Sequence, residues 1–247
     1  CKGIIGPWGH KFPHQGVPGP AMGFLQEAKR WWDRWLKNID TGVENDPDMR
    51  LFVQDPVKPA PHIETRKGNW LGIPNWPSAF IKMDKLFLLG NRLLSHQTKS
   101  KVEDLRSISS PENTGVAGGE WCAYALGKIA PELPLDQKDD DAHSLTFDSD
   151  VLGASKSIIG RPIIHLRIAS DQQQALVAVR LNNINTDGSI ERISYGILNL
   201  SHREGNEKPA VLEPKKFYDI SIKLKHCAYR IKPDCKLRIS ISTSYWP

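Results

Sequence analysis

The segment GPWGH at residues 6–10 is the part of the sequence whose residue types best fit proton transfer. An apolar segment ends there, glycine and proline turn the backbone, and a histidine follows before a predicted helix. A histidine presented in this way can accept the proton of a hydroxyl nucleophile while a carboxylate orients its second ring nitrogen. His10 is therefore the candidate general base, and His14 in the same loop is its rival.

The rest of the sequence shows neither a serine nucleophile nor a metal site. It contains no G-x-S-x-G, the motif that presents a nucleophilic serine. Asp139, Asp140 and Asp141 lack the spacing of a calcium-binding loop, so we predict a solvated turn there. The four cysteines, at positions 1, 122, 227 and 235, show no CxxC spacing. We therefore predict no metal, no cofactor and free thiols, with a Cys227–Cys235 pair across a hairpin as the alternative.

Two elements must hold His10, a strand before the loop and a helix after it. We predict the strand at residues 2–6. Residues 23–39 are predicted as a helix because apolar residues recur on one face at 3.6 residues per turn. That face carries Phe24, Leu25, Ala28, Trp31, Trp32, Trp35, Leu36 and Ile39. Three tryptophans on one stripe need a large apolar partner, so we predict that the stripe is a packing surface.

From about residue 48 the helical pattern gives way to alternating strands. The predicted strands are residues 50–54, 82–89, 144–148, 158–170, 175–181, 192–200, 217–224 and 236–242. In the last two, apolar and polar residues alternate, which predicts sheets with one buried side. Turn signals between the strands favour a β-sandwich or jelly roll.

The composition fits a globular protein of one or two domains. Of 247 residues, 39% are hydrophobic and 25% are charged, which excludes a disordered chain, a collagen and a coiled coil. There is no run of about 18 apolar residues, so we expect no contact with a membrane through a spanning segment. The net charge of +5 is modest and mixed in sign, so nucleic acid is not an expected partner.

Several motifs, in order, resemble the CocE/NonD family of hydrolases, which includes the X-Pro dipeptidyl-peptidase and cocaine esterase types. KGIIGPWGH and the segment at residues 13–43 are similar to the end of the family's hydrolase domain. Later segments resemble successive parts of its C-terminal jelly-roll domain; they are DQKDDDAHSLTFDSDVL, IIGRPIIHLRIASD, VRLNNINTDGSIERISYGILNLSHR and LRISISTSYWP. The similarity covers nearly the whole chain and is weakest over residues 91–118.

This resemblance implies a mainly β fold in two parts. Residues 1–47 would be the last strand, the histidine loop and the last helix of an α/β-hydrolase domain. Residues 48–247 would be a jelly-roll β-sandwich similar to the X-Pro dipeptidyl-peptidase C-terminal domain. Two departures from the family lie in turns: Lys215 stands where relatives have glycine, and Pro233-Asp234-Cys235 replaces Pro-x-Gly-His. We expect both turns to survive, since Asp tolerates the left-handed conformation.

The resemblance also implies a serine hydrolase with a Ser-His-Asp triad that acts on small-molecule esters or amides, or on peptides. Only the histidine maps onto this sequence, at His10. The nucleophile and the acid would lie in a missing N-terminal hydrolase portion, so we expect a piece of a longer protein that is inactive alone. Without that portion, the helix stripe should make the chain self-associate.

Two alternatives remain open from the sequence. The first is a non-catalytic jelly-roll module that binds carbohydrate through Trp70, Trp76 and Trp121, and the second is a structural domain. A cytoplasmic location is expected. A homo-oligomer is left open, and the sequence does not identify the acyl group or the leaving group of the substrate.

Overall fold

The computed structural model describes residues 2–95, 105–120 and 132–246. Its helices are α1 (Phe24–Lys37) and α2 (Lys138–Ala142), with 3-10 turns at Pro13–Gln15, Val43–Asn45, Val116–Gly118 and Leu200–His202. Its strands are β1 (Gly3–Ile5), β2 (Met49–Gln54), β3 (Gly68–Ile73), β4 (Phe87–Leu89), β5 (Arg92–Leu94), β6 (Leu145–Asp148), β7 (Lys156–Gly160), β8 (Ile163–Ile168), β9 (Leu176–Ile184), β10 (Ile190–Asn199), β11 (Tyr218–Lys223), β12 (Cys227–Ile231) and β13 (Lys236–Ser242). Neither helix in these ranges has the length and apolar character needed to cross a bilayer.

The strands form a sandwich with a smaller extension at its N-terminal end. One sheet has the order β10-β9-β13-β6-β5-β4, and it faces β11-β8 and the β12-β7 pair. The extension consists of β1, β2 and β3, which join the same sheet as β12 and β7 through β2. This arrangement confirms the predicted mainly β fold with a C-terminal sandwich.

The hydrophobic core lies between the two layers of the sandwich. Alternation in β11 and β13 places one side chain in two in this core, because successive side chains of a strand point to opposite faces. The buried members include Val179, Leu181, Ile220, Ile222, Ile231, Leu237 and Ile239. In β11 the intervening Ser221 and Lys223 are exposed, as the period of two predicts.

The prediction that each sheet has one solvated side is wrong for the six-stranded sheet. Both faces of β9 are buried, and Arg180, on the face away from the core, has no exposed surface. α2 and Tyr245, which follows β13, cover this face. Arg180 pairs with the carboxylates of Asp140 at 3.3 Å and Asp141 at 3.1 Å, and its guanidinium lies 5.0 Å from the Tyr245 ring centroid. The outer face is therefore buried by polar contacts.

The predicted solvated turn at residues 139–141 is also wrong. Asp140 and Asp141 lie in α2 and are buried, whereas Asp139 is exposed. Asp140 also accepts a hydrogen bond from the Gly115 amide at 2.7 Å. Burial raises the pKa of Asp141 more than Arg180 and Arg238 lower it. These carboxylates stabilise a protein contact, and no group of three or more metal-ligating side chains occurs in the described part of the chain.

Predicted strand bounds agree best where the alternation is strong. Residues 236–242 are a strand with the predicted ends, whereas residues 158–170 form two strands that separate after Gly160, which has a φ of 122°. Of residues 82–89, only 87–89 form a strand. The sequence pattern did not indicate β3, β5 or β12 as separate strands.

The two described cysteines confirm the prediction of free thiols. Cys227 and Cys235 are both unpaired, and β12 and β13 belong to different sheets, so the alternative hairpin pairing is wrong. Burial raises the pKa of the Cys227 thiol to about 11. Cys1 and Cys122 lie outside the described residues.

Both turns in which the sequence departs from the family pattern survive. Lys215 has a φ of 67° and Asp234 a φ of 65°, so each adopts the left-handed conformation that glycine favours. Asp234 is further held by its amide, which donates to the Leu152 carbonyl at 2.9 Å.

Candidate active site

The strand that leads to His10 keeps one edge open. β1 runs parallel to β2 with Gly3 opposite Met49, and the Gly3 amide donates to the Asp48 carbonyl at 2.8 Å. β1 is the terminal strand of its sheet among the described residues. An unpaired edge presents free backbone donors and acceptors, so a further strand can be added there. Ile5, at the end of β1, is exposed.

Trp8 holds the loop after β1 in shape. Its indole Nε1 donates to the Pro20 carbonyl at 2.8 Å, across the base of the loop. The ring lies against Gly6 and Gly16, where added Cβ atoms would approach indole carbons to 2.5 Å and 2.0 Å. Both positions therefore need glycine for space. Within the GPWGH motif, Gly6 is therefore needed because the Trp8 ring packs against it.

His10 lies at the tip of this loop and is exposed. The Gly9 amide before it donates to the Val17 carbonyl at 3.0 Å, and the Lys11 amide after it donates to the Gly9 carbonyl at 2.6 Å. Two backbone hydrogen bonds thus fix the chain on either side of the histidine. The imidazole can be reached from solvent, as a general base that serves a nucleophile outside these residues must be.

The rival His14 is placed differently. It lies in the 3-10 turn Pro13–Gln15, and its ring stacks on Phe24 at 6.0 Å with only 6° between the planes. Phe12 lies 6.0 Å from His14 and 5.9 Å from Phe24, so the three rings form one cluster. His14 therefore joins the loop to the start of α1.

The helix α1 shows its apolar stripe to solvent. Leu25, Trp32, Trp35, Leu36 and Ile39 are all exposed, with fractions from 48% at Ile39 to 74% at Leu36. Phe12, whose ring lies 5.9 Å from that of Phe24 at the start of α1, is exposed as well, and so is Ile5 in β1. We call these seven residues the apolar surface. The predicted packing partner of the stripe is thus not found among the described residues.

One buried carboxylate of α1 is covered by the helix itself. Asp33 is the only buried residue of α1, and it pairs with Lys29 and with Lys37, one turn before and one turn after it, the latter at 2.7 Å. Hydrogen bonds from Lys29 and Lys37 lower the pKa of Asp33. Both lysine side chains are mostly exposed, so these pairs stabilise the helix and do not join it to the rest of the chain.

A cluster of four charges joins α1 to β2. Glu27 accepts from Arg50 at 2.7 Å and from Arg30 at 3.1 Å, and Arg30 also pairs with Asp46. The hydrogen bond from Arg50 is the main cause of a lowered pKa at Glu27. The pairing with Asp46 and Glu27 raises the pKa of Arg30. These ion pairs fix the helix beside the histidine loop.

A pocket of about 190 Å³ separates the histidine loop from the sandwich. Its walls include Pro7, Pro18, Gln54, Ile63, Glu191 and Arg192. Glu191 was not identified from the sequence, although it is a buried carboxylate in the wall next to the loop. Its contacts link segments that are distant in sequence, which no local motif could reveal.

The tryptophans of the carbohydrate alternative do not form a flat platform in the described residues. Trp70 is tilted by 48° to Trp8 at 6.0 Å and lies edge-on to Phe52 at 5.4 Å. It thus belongs to the packing that supports the histidine loop. Trp70 and Trp76 are both exposed, at 42% and 44%, and Trp121 lies outside the described residues.

The chain is similar to solved structures that include two named as hydrolases. A CocE/NonD family hydrolase from Staphylococcus aureus is 15% identical, with a TM-score of 0.66 over 92% of this chain and 39% of its own. An α-amino acid ester hydrolase is 17% identical, with a TM-score of 0.73 over 99% of this chain and 42% of its own. The fold is thus that of the C-terminal β-sandwich seen in these hydrolases.

The sequence comparison specifies the family. The profile of the X-Pro dipeptidyl-peptidase C-terminal non-catalytic domain matches residues 41–247, so the chain belongs to this family. Cocaine esterase from Rhodococcus sp. is 20% identical over 99% of this chain and 44% of its own length. A Mycobacterium tuberculosis protein named as a serine esterase is 22% identical over 97% of this chain and 40% of its own length. The chain therefore spans about two fifths of these relatives, and its resemblance to the C-terminal portion of CocE/NonD hydrolases is confirmed.

Proposed function

We propose that the chain is the C-terminal part of a serine hydrolase that cleaves ester or amide bonds of acyl or dipeptidyl substrates, with His10 as its general base. One observation carries the proposal. The exposed His10 lies on a loop that follows an open-edged strand and borders the apolar surface. A histidine with these neighbours is suited to complete a site whose other groups come from a segment that covers the surface.

In this mechanism His10 takes the proton of the serine hydroxyl as the hydroxyl attacks the carbonyl carbon. It then gives the proton to the leaving group. The serine, the aspartate that orients the imidazole and the oxyanion donors come from an N-terminal hydrolase portion. That portion continues the sheet at the free edge of β1 and covers the apolar surface. The 247-residue chain alone is then inactive.

The non-catalytic sandwich supports the loop and closes one side of the substrate site. The substrate is a small-molecule ester or amide, or a peptide, and the reaction needs no cofactor. The free thiols of Cys227 and Cys235 support a cytoplasmic location. No observation favours the carbohydrate-binding alternative over this proposal.

The test uses the full-length protein that contains this chain, with p-nitrophenyl acetate as the probe. His10→Asn should lower kcat/KM at least about a hundredfold, because general base catalysis is lost. His14→Asn is the matched control, and it should stay within about threefold since it changes only a ring stack. A fluorophosphonate should label the full-length protein on one serine and leave the 247-residue chain unlabelled. Equal activity of the His10 variant and the wild type, or labelling of the chain alone, would overturn the proposal.

A further inference from the structure

Glu191 is a buried carboxylate at the start of β10 that connects three separate segments. It accepts hydrogen bonds from Arg66 Nη2 at 2.6 Å, from the Val57 amide at 3.0 Å and from the Tyr229 hydroxyl at 2.6 Å. Burial, then the nearby Glu191, raises the pKa of Tyr229, so its hydroxyl keeps the proton that it donates. Val57 and Arg66 lie near the two ends of the connection between β2 and β3. Glu191 therefore ties both ends of that connection to the sandwich.

The same connection holds the histidine loop through its backbone. The Arg66 amide donates to the Gly19 carbonyl at 2.9 Å, and the Gly19 amide donates to the Glu64 carbonyl at 2.7 Å. These bonds form a parallel bridge between Gly19 and Thr65. The fit is tight, since a Cβ on Gly19 would lie 3.1 Å from Thr65 Oγ1.

In the sequence, Gly19 lies between Val17 and Pro20, whose carbonyl groups accept hydrogen bonds from the residues before His10. The Gly9 amide bonds to Val17, and the Trp8 indole bonds to Pro20. A short path of hydrogen bonds therefore leads from Glu191 through Arg66 and Gly19 to the base of the His10 tip. Each contact on this path is between groups of the described chain.

We propose that Glu191 is a positioning residue for His10. Glu191 acts indirectly, through its ion pair with Arg66 and the backbone bridge between Gly19 and Thr65. The ion pair between Arg66 and Glu191 is 11% and 7% exposed, so it is shielded from solvent. Loss of one partner of such a pair leaves the other partner as a buried, unpaired charge, which is costly. The catalytic consequence rests on the proposed function, whereas the mechanical link is measurable without any activity.

The mechanical link is tested by amide hydrogen exchange on the 247-residue chain. Arg66→Met should speed exchange at Gly9 about tenfold or more, while amides of β9 and β13 exchange as in the wild type. Arg238→Met is the matched control, because it also removes a cation from carboxylates, Asp148 at 2.6 Å and the buried Asp141 at 3.3 Å, and exchange at Gly9 should then stay as in the wild type. Unchanged exchange at Gly9 in Arg66→Met would overturn the link. If all amides of Arg66→Met exchange faster, the same measurement is made on Arg66→Lys. Faster amide exchange in Arg66→Lys that is confined to the histidine loop supports the link. Wild-type exchange of the loop amides in Arg66→Lys overturns it.

The catalytic consequence is tested on the full-length protein with p-nitrophenyl acetate. Arg66→Met should lower kcat about tenfold with KM within about twofold, because the base is misplaced while substrate binding is kept. Arg66→Lys should restore part of kcat, and Arg238→Met should change neither constant. An unchanged kcat together with faster loop exchange would overturn the positioning role. A wild-type protein without esterase activity would instead overturn the proposed function, and hydrogen exchange would still decide the link.

Discussion

The exposed stripe of α1 predicts that the 247-residue chain self-associates and that charges on the stripe abolish this association. Trp32→Glu/Leu36→Glu changes two residues that are 53% and 74% exposed. Full burial of one large apolar side chain contributes about 1.5–3 kcal/mol. Leu25, Trp35 and Ile39 belong to the same stripe and are also about half exposed or more. Scaled by these exposed fractions, the five side chains of one copy would contribute about 4–9 kcal/mol on burial, and a dimer would bury two such sets.

Association of two separate molecules costs about 4–15 kcal/mol in lost freedom, so the stripe alone supports only weak self-association. A covering segment of the same polypeptide avoids most of this cost, which favours an intramolecular cover over a dimer. We therefore expect dissociation constants of about a micromolar or weaker for the chain and no association through this stripe in the full-length protein.

Sedimentation equilibrium over about 10–100 µM would measure this association. The average mass of the wild-type chain should rise with concentration, and the mass of Trp32→Glu/Leu36→Glu should stay monomeric. Val211→Glu/Phe217→Glu is the matched control, since both residues are exposed on the sandwich. If Trp32→Glu/Leu36→Glu associates like the wild type, the stripe of α1 is not the surface through which the chain self-associates. A wild-type monomer whose stripe tryptophans are quenched and buried would also contradict this prediction.

Three further predictions concern stability and pH. Arg180→Met should lower the free energy of unfolding by about 3–5 kcal/mol in urea, because the buried Asp140 loses its cation and the buried Asp141 keeps only Arg238, and a loss below about 1 kcal/mol would contradict this. Lys215→Gly should raise the free energy of unfolding by about 0.5–1 kcal/mol, because its φ of 67° is strained for lysine, and an unchanged or lower urea midpoint would count against it. The pKa of Glu27 is held below its ordinary value of 4.5, mainly by the hydrogen bond from Arg50. The ionised carboxylate therefore stabilises the folded state above pH 4.5. This stabilisation is lost as the pH falls through the lower pKa that Glu27 has in the folded state. Hydrogen exchange of α1, corrected for intrinsic rates, should therefore accelerate below about pH 4.5 in the wild type and do so less in Glu27→Gln; equal acceleration in both would contradict this.

Features encoded by neighbouring residues were predicted well from the sequence. The alternation of residues 236–242 and the 3.6-residue period around Trp31 both led to the right elements, because each period is carried by residues close together in the sequence. The turn at Asp234 was expected to survive from the resemblance and from the tolerance of Asp for the left-handed conformation, and its φ of 65° confirms this. β3 was missed because its GNWLGI sequence is mostly exposed and has no alternating burial.

Features encoded by distant residues were missed. Glu191 meets Arg66 and Val57 at separations of 125 and 134 residues, and a lone glutamate in a strand gives no local sign of such partners. Asp141 was expected in solvent because its partner Arg180 comes 39 positions later in the printed sequence, on a face expected to be wet. Long-range pairing of buried charges is a property of the packed sheets, and it therefore requires the structure.

An experimental structure of the full-length protein would test the central claim most directly, through the distance from the His10 imidazole to the nearest serine hydroxyl of the N-terminal portion. If His10 is the general base, one of its ring nitrogens lies at about 2.6–3.2 Å from that hydroxyl, and the N-terminal portion covers the apolar surface of α1. A His10 ring that faces solvent, with no serine hydroxyl within hydrogen-bond distance, would show that His10 is not the general base.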